Sequence, residues 1–148
     1  MTNRPIISPE HLAIQNLLHT TQHIRNQFSQ LFHEHDLTHS QYTLLQHLLS
    51  AGQPLTTQEV AHLMQLGKSS MTGILTRLQG KRLISRKHCS NDQRIIYVEP
   101  TDSVGELLDH LEVPVNELHM QLVEHLTLSE TNQLTHLLVK MLGPRIHT

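Results

Sequence analysis

Basic side chains collect in one stretch of an otherwise acidic chain. Between Gly67 and Arg94 stand Lys68, Arg77, Lys81, Arg82, Arg86, Lys87 and Arg94 against a single acid, Asp92. Cations at this density can neutralise a row of phosphates, and release of the displaced counterions favours the contact. From Glu99 to Glu130 the sign reverses, with eight acids and no Lys or Arg, so the formal net charge of −2 hides a two-sided chain. There is no Trp, and only two Tyr and two Phe, which leaves no stacking platform for single strands. Double-stranded DNA is the partner this distribution points to.

Other chemistries fit less well. Gly67-Lys68-Ser69 imitates the end of a phosphate-binding loop, but that loop needs glycine where His62 stands and a strand before it. His19 and His23 lie one helical turn apart, and His33, His35 and His39 crowd together with Glu34 and Asp36, which is chemistry suited to zinc. With 14 His in 148 residues such proximities arise by chance, and no spacing fixes four ligands, so no metal site and no cofactor are assigned. Cys89, the one cysteine, stands close to the cations Arg86 and Lys87 and is a candidate oxidation switch; the plainer reading is small apolar filling in a strand. No nucleophile, base and orienting group are brought together by the order of the chain, so an enzyme is not expected. A single cysteine, the lack of a secretory signal and the lack of an apolar run near the ~18 residues of a membrane helix predict a cytoplasmic, reduced protein with no membrane contact.

The elements that must position the cations follow from periodicity. Ser8-Pro9 reads as a helix start, and apolar residues from Ile14 to Phe32 recur at helical spacing, predicting a long first helix from Pro9 to His33. Thr38-x-x-Gln41 and Thr56-x-x-Glu59 are capping boxes opening the second and third helices, the second ended by Gly52. In the fourth helix Met71, Ile74, Leu75 and Leu78 share one side, while Ser69, Thr72, Gly73 and Thr76 lie opposite. One face packs and the other reads. Helices three and four, joined through Gly67, form a helix-turn-helix. Ile84 to Cys89, a polar turn Ser90-Asn91-Asp92-Gln93, and Arg94 to Glu99 closed by Pro100 form a β-hairpin wing. A fifth helix begins at Thr101-Asp102 and runs towards Leu126 with a kink or break expected at Pro114; Ser129 is expected to cap a sixth that stops at Gly143-Pro144.

These motifs resemble the MarR family, the multiple-antibiotic-resistance type of winged-helix transcriptional regulators. The likeness is carried by Leu37-Thr38 with Gln41, Thr56-x-x-Glu59-Val60-Ala61, Arg77-Leu78, Leu83-Ile84-x-Arg86, the wing tip Asp92-x-Arg94 and Leu128-Ser129. Three positions depart from the family pattern. Gly73 replaces a longer polar residue, Arg82 replaces the usual glycine after helix four, and Val104-Gly105 shifts a glycine by one. Arg82 must either take a positive φ or impose a different turn.

The resemblance implies a mainly α fold with a small β-wing, a winged helix-turn-helix with N- and C-terminal dimerisation helices. It is one unit over residues 1–148, with about 37–100 binding DNA and about 9–33 and 101–143 forming the dimer. The implied function is a dimeric, sequence-specific, ligand-responsive repressor on a pseudo-palindromic operator, with a small-molecule effector of unspecified identity. Lys68, Ser69, Ser70, Thr72, Thr76 and Arg77 are the expected helix-four contacts, with Arg86 and Lys87 as phosphate clamps. By resemblance, Arg94 enters the minor groove and Asp92 orients it. The alternatives are a metal- or thiol-gated regulator of the same fold and a protein-interaction module that does not bind DNA.

Overall fold

The computed structural model describes residues 7–143, so Pro144, expected to help stop the last helix, lies outside the described residues. The elements run α1 (Pro9–His33), α2 (His39–Ala51), β1 (Leu55–Thr56), α3 (Thr57–Met64), α4 (Lys68–Gly80), β2 (Ile84–His88), β3 (Ile96–Pro100), α5 (Ser103–Leu122) and α6 (Leu128–Leu142). The fold is a mainly helical winged helix-turn-helix.

Helix starts follow their caps. Ser8 Oγ accepts from the His11 N–H at 3.2 Å at the head of α1, and both expected capping boxes close, with Thr56 N–H donating to Glu59 Oε2 at 2.7 Å. Helix ends are more unusual. α1, α3 and α4 stop at Asp36, Gln65 and Arg82, whose φ values are 55°, 53° and 59°. In each case the next residue is a leucine whose N–H reaches back into the helix: Leu37 to Phe32 O at 2.9 Å, Leu66 to Ala61 O at 3.1 Å, Leu83 to Leu78 O at 3.0 Å. Leu37 is buried and Leu66 and Leu83 pack against the core, so the reach-back bonds come with apolar burial. Arg82 therefore keeps the left-handed turn in spite of its side chain. Gly67 is in the extended region at φ −71° and caps α4; the left-handed residue between the two helices is Gln65.

The sheet has the order β1-β3-β2, all antiparallel, with Leu55 opposite Val98 and Ile84 to His88 opposite Pro100 to Ile96. β1 was not expected, because its two residues double as the cap of α3. The wing strands are shorter than their sequence pattern: β2 ends at His88 and β3 begins at Ile96. The Arg94 N–H is taken by Asp92 Oδ1 at 3.0 Å and is lost to the ladder, although Cys89 N–H still reaches Ile95 O at 2.8 Å.

Two further expectations need correction. α5 runs unbroken through Pro114 and stops at Leu122, so Leu126 lies in the connection to α6. Val104, Leu111, Val115 and Leu118, buried along one side, hold the helix across the proline. The cap of α6 is Thr127, with Ser129 already inside the helix. Thr127 Oγ1 accepts from Glu130 N–H at 3.2 Å and Thr127 N–H donates to Glu130 Oε2 at 2.8 Å, whereas a cap at Ser129 would have Asn132 at the third position and no carboxylate. That bond to the Thr127 N–H holds the Glu130 carboxyl below its ordinary range.

One core joins Phe28 and Phe32 of α1 to α2, α3, α4, the sheet and α5. Phe32, fully buried, stacks on Phe28 at 5.9 Å and tilts against Tyr42 at 4.7 Å. The His39 ring joins this cluster, 5.1 Å from Phe28 and 5.7 Å from Phe32. α6 contributes no buried residue; Leu128 is 79% exposed, Val139 63% and Leu142 66%.

Arg82→Gly removes the steric cost of a side chain at positive φ and is expected to raise unfolding free energy by about 0.5–1 kcal/mol in urea titrations. A decrease would mean that the Arg82 side chain contributes more than the turn costs it. His39 supplies a pH-dependent test. Burial, and then the nearby His119 and Arg25, hold its imidazole below the ordinary range. Protonation is therefore harder in the folded chain than in the unfolded one. The stability His39 contributes is complete above the unfolded value of about 6.5 and is lost as pH falls through the lower folded value. Between about pH 7.5 and about pH 5, wild type should lose more unfolding free energy than His39→Gln; parallel losses would refute this role.

Candidate nucleic-acid interface

Helix α4 is held from beneath by Met71, Leu75 and Leu78, all buried. Lys68, Ser69, Ser70, Thr72, Thr76 and Arg77 are all exposed, and they share the outer part of the helix. Its first turn has no side-chain cap, because Gly67 has none to offer, so free N–H groups and the positive end of the helix dipole face out beside Lys68. Thr72 Oγ1 donates to Lys68 O at 2.9 Å, which turns its hydroxyl back towards the helix and presents the methyl. At half-buried Gly73 an added Cβ would meet nothing within 4 Å, so the missing side chain leaves a shallow, open spot on this face.

The wing tip is organised by one carboxylate. Asp92 Oδ1 accepts from both the backbone N–H of Arg94 at 3.0 Å and its Nε at 3.2 Å, while the Arg94 side chain remains 92% exposed. A guanidinium held at one edge and open elsewhere is set for a second anionic or acceptor-rich surface. His88 Nδ1 lies 2.8 Å from Gln93 O and braces the same turn.

Arg86 and Lys87 lie on opposite faces of the wing and meet different partners. Neighbouring residues on a strand point to opposite faces. Arg86, paired with buried Val98, turns towards α4, where its Nε donates to Gln79 Oε1 at 2.6 Å. Lys87 is on the other face and meets Glu99 diagonally across the strands at 2.9 Å. Alternation counted from Ile84 would have placed Arg86 inward; nothing in the sequence marked Gln79 as its partner. Lys81, counted among the outward cations, bends back to the α1–α2 turn: its Nζ donates to the Asp36 carbonyl oxygen and lies 3.5 Å from Asp36 Oδ2.

The remaining candidates stay apart. Cys89 is half-exposed beside the wing turn. His39 packs on phenylalanines, away from the exposed His33 and His35, and among the described residues no three His, Cys, Asp or Glu side chains form a metal cage. A cleft of about 370 Å³ opens between α1, α2 and α5, walled by Phe28, His39 and Tyr42 on one side and Asp109, Glu112 and His119 on the other. Tyr42, buried at that wall, has its phenol pushed above the ordinary range by burial and then by Glu112. Among the described residues no helix is long and apolar enough to cross a membrane.

Comparison with known proteins agrees with this geometry. Residues 37–96 match the family model described as the MarR family. The homoprotocatechuate degradative operon repressor of Escherichia coli is 27% identical over 127 residues, covering 86% of this chain and 85% of that protein. The HTH-type transcriptional regulator FarR of Neisseria gonorrhoeae is 29% identical over 109 residues, or 73% and 74% of the two. Among solved structures, the S. aureus MepR–DNA complex superposes with TM-score 0.76 at 26% identity over 86% of this chain and 95% of that one. A mutant of E. coli MarR complexed with operator DNA gives 0.81 at 24% identity over 95% and 100%, a likeness of fold. Motifs, fold and relatives converge on the MarR family, whose model residues 37–96 of this chain match.

Proposed function

We propose that this protein is a dimeric, sequence-specific regulator of transcription that works in the cytoplasm by binding duplex DNA, and that it acts as a repressor by occupying a pseudo-palindromic operator. The observation that carries this reading is the exposed, capless face of α4 placed in one chain with an Arg94 already oriented by Asp92. In this reading residues 37–100 bind DNA, and 9–33 with 101–143 form the dimer. Lys68, Ser69, Ser70, Thr72, Thr76 and Arg77 meet the major groove and its phosphates. Arg94 enters the flanking minor groove, and Arg86 and Lys87 support the wing against the backbone. The small side chains of α4 reach few base edges, so shape and phosphate carry much of the affinity. Two-fold symmetry sets the half-site centres roughly 10 bp apart. The names of the relatives, an operon repressor and a transcriptional regulator, support the role.

The dimer reading rests on α6 and the N-terminal part of α1. Leu128, Leu137, Val139 and Leu142 of α6, with Leu12 and Leu18 of α1, are large apolar side chains exposed on one protomer. A second copy of the chain covers them and supplies the second reading head. A small-molecule effector in the α1–α2–α5 cleft acts through its different affinity for the DNA-competent and incompetent spacings of the two heads.

Selection from a random duplex pool should yield a two-fold-related site. On that site Arg94→Ala should weaken binding by about 1–3 kcal/mol with fold and dimer intact, most strongly where the flanks are A·T-rich. Unchanged affinity would take the wing out of the mechanism. Lys87→Ala, as a phosphate contact, should instead weaken all sequences alike and lower the salt slope by about one unit. Removing residues 129–148 should convert the sedimenting species to monomer and abolish tight operator binding; a dimer that survives the deletion refutes this interface.

A further inference from the structure

The turn between α4 and β2 is tied on both sides to the segments that lead into the long helices. On one side the Lys81 ammonium donates to the Asp36 carbonyl oxygen and lies 3.5 Å from both Asp36 Oδ2 and Gln41 Oε1. Asp36 is the left-handed residue at the end of α1, so the cation sits where the helix dipole favours it. Gln41 is 2% exposed and already spends its Oε1 on the Thr38 N–H at 3.1 Å in the α2 capping box. On the other side Thr101, just before α5, donates its hydroxyl to Arg82 O at 2.8 Å and its N–H to Leu83 O at 3.0 Å. Lys81 is also less open than the wing cations Lys87 and Arg94, its side chain 30% exposed against 73% and 92%.

We propose that Lys81 is a positioning residue for operator recognition: by joining the C-terminal end of α4 to the α1–α2 turn it fixes the angle of the recognition helix against the dimerisation helix, and it does not contact DNA. This rests on the DNA-binding reading above. Such a strut matters only when both heads must meet one duplex together. The second head binds at an effective concentration set by how closely the inter-head spacing matches the operator. A loosened strut lowers that effective concentration and leaves each head's own contacts as they were.

Lys81→Met keeps most of the stem that packs at the turn and removes the ammonium, while Gln41 retains its bond to Thr38. With fluorescence-labelled duplexes, this variant should bind the full operator about three- to tenfold more weakly, with a salt slope equal to that of wild type. It should bind a duplex with one half-site scrambled as wild type does. Equal weakening on both duplexes with a salt slope lower by about one would show Lys81 to be a phosphate contact, and unchanged binding to both would show the tie to be idle. A second measurement needs no DNA. In a Cys89→Ser background, spin labels on Ser69→Cys report the distance between the two α4 helices, and Lys81→Met should broaden its distribution; an unaltered distribution overturns the proposal. A wild-type protein that binds no duplex removes the DNA reading, and the spin-label distances still decide the strut.

Discussion

Three helices of this chain stop on a left-handed residue that carries a side chain, and the mutual angles of α1, α2, α3, α4 and the wing follow from those stops. Each costs of order 1 kcal/mol against glycine. The cost is offset locally, because each stop places a leucine N–H on a helical carbonyl and its side chain against the core. At Asp36 and Arg82 the same geometry presents a backbone carbonyl to another element, to Lys81 in one case and to Thr101 in the other. The turns that end the helices are therefore also the joints between reading head and long helices. A glycine would relax the backbone at any of them, but at Asp36 it would also remove the carboxylate that faces Lys81.

The wing depends on a comparable double use. A two-stranded hairpin alone is marginal in water, and here β3 is paired on both edges, with β2 over five residue pairs and with the short β1 over two. β1 belongs to the segment that caps α3, so the hairpin base is fixed to the head while its tip extends from it. The tip in turn is organised by Asp92, which trades one ladder hydrogen bond for an oriented guanidinium.

Much of this could be read from residue order, and the limits have physical causes. Capping boxes are local and reciprocal, so Thr38, Thr56 and the start of α1 at Ser8-Pro9 were legible, and α1 ends where its apolar period ends. At the head of α6 a hydroxyl alone does not mark the cap: Glu130, three positions after Thr127, completes the box that Ser129 lacks. Pro114 was legible as a local cost and illegible as an outcome, since four buried side chains on α5 outweigh it. β1 is too short to have a period. Among the cations, charge density identified the surface but not the partner of each member. Gln79, Glu99 and the Asp36 carbonyl meet Arg86, Lys87 and Lys81 only after the chain has folded. The outward face of α4 and the Asp92–Arg94 pair were legible because one helical period and a two-residue spacing define them.

The bare stripe on α6 has a consequence for how such a protein responds to its own abundance. In the dimer proposed above, α6, which has no buried residue of its own, draws stability from association, so that dimer orders the helix by mass action as well as by the fold. In a two-fold assembly the concentration of the paired form falls as the square of the chain concentration once dilution passes the pairing constant. Occupancy of a site that needs both heads then drops more steeply than the number of chains, and a gradual change in synthesis becomes a sharper change at the promoter. The same stripe, left uncovered on newly made chains, is an adhesive surface of leucine, valine and methionine, so rapid pairing also shortens the time in which it can meet anything else.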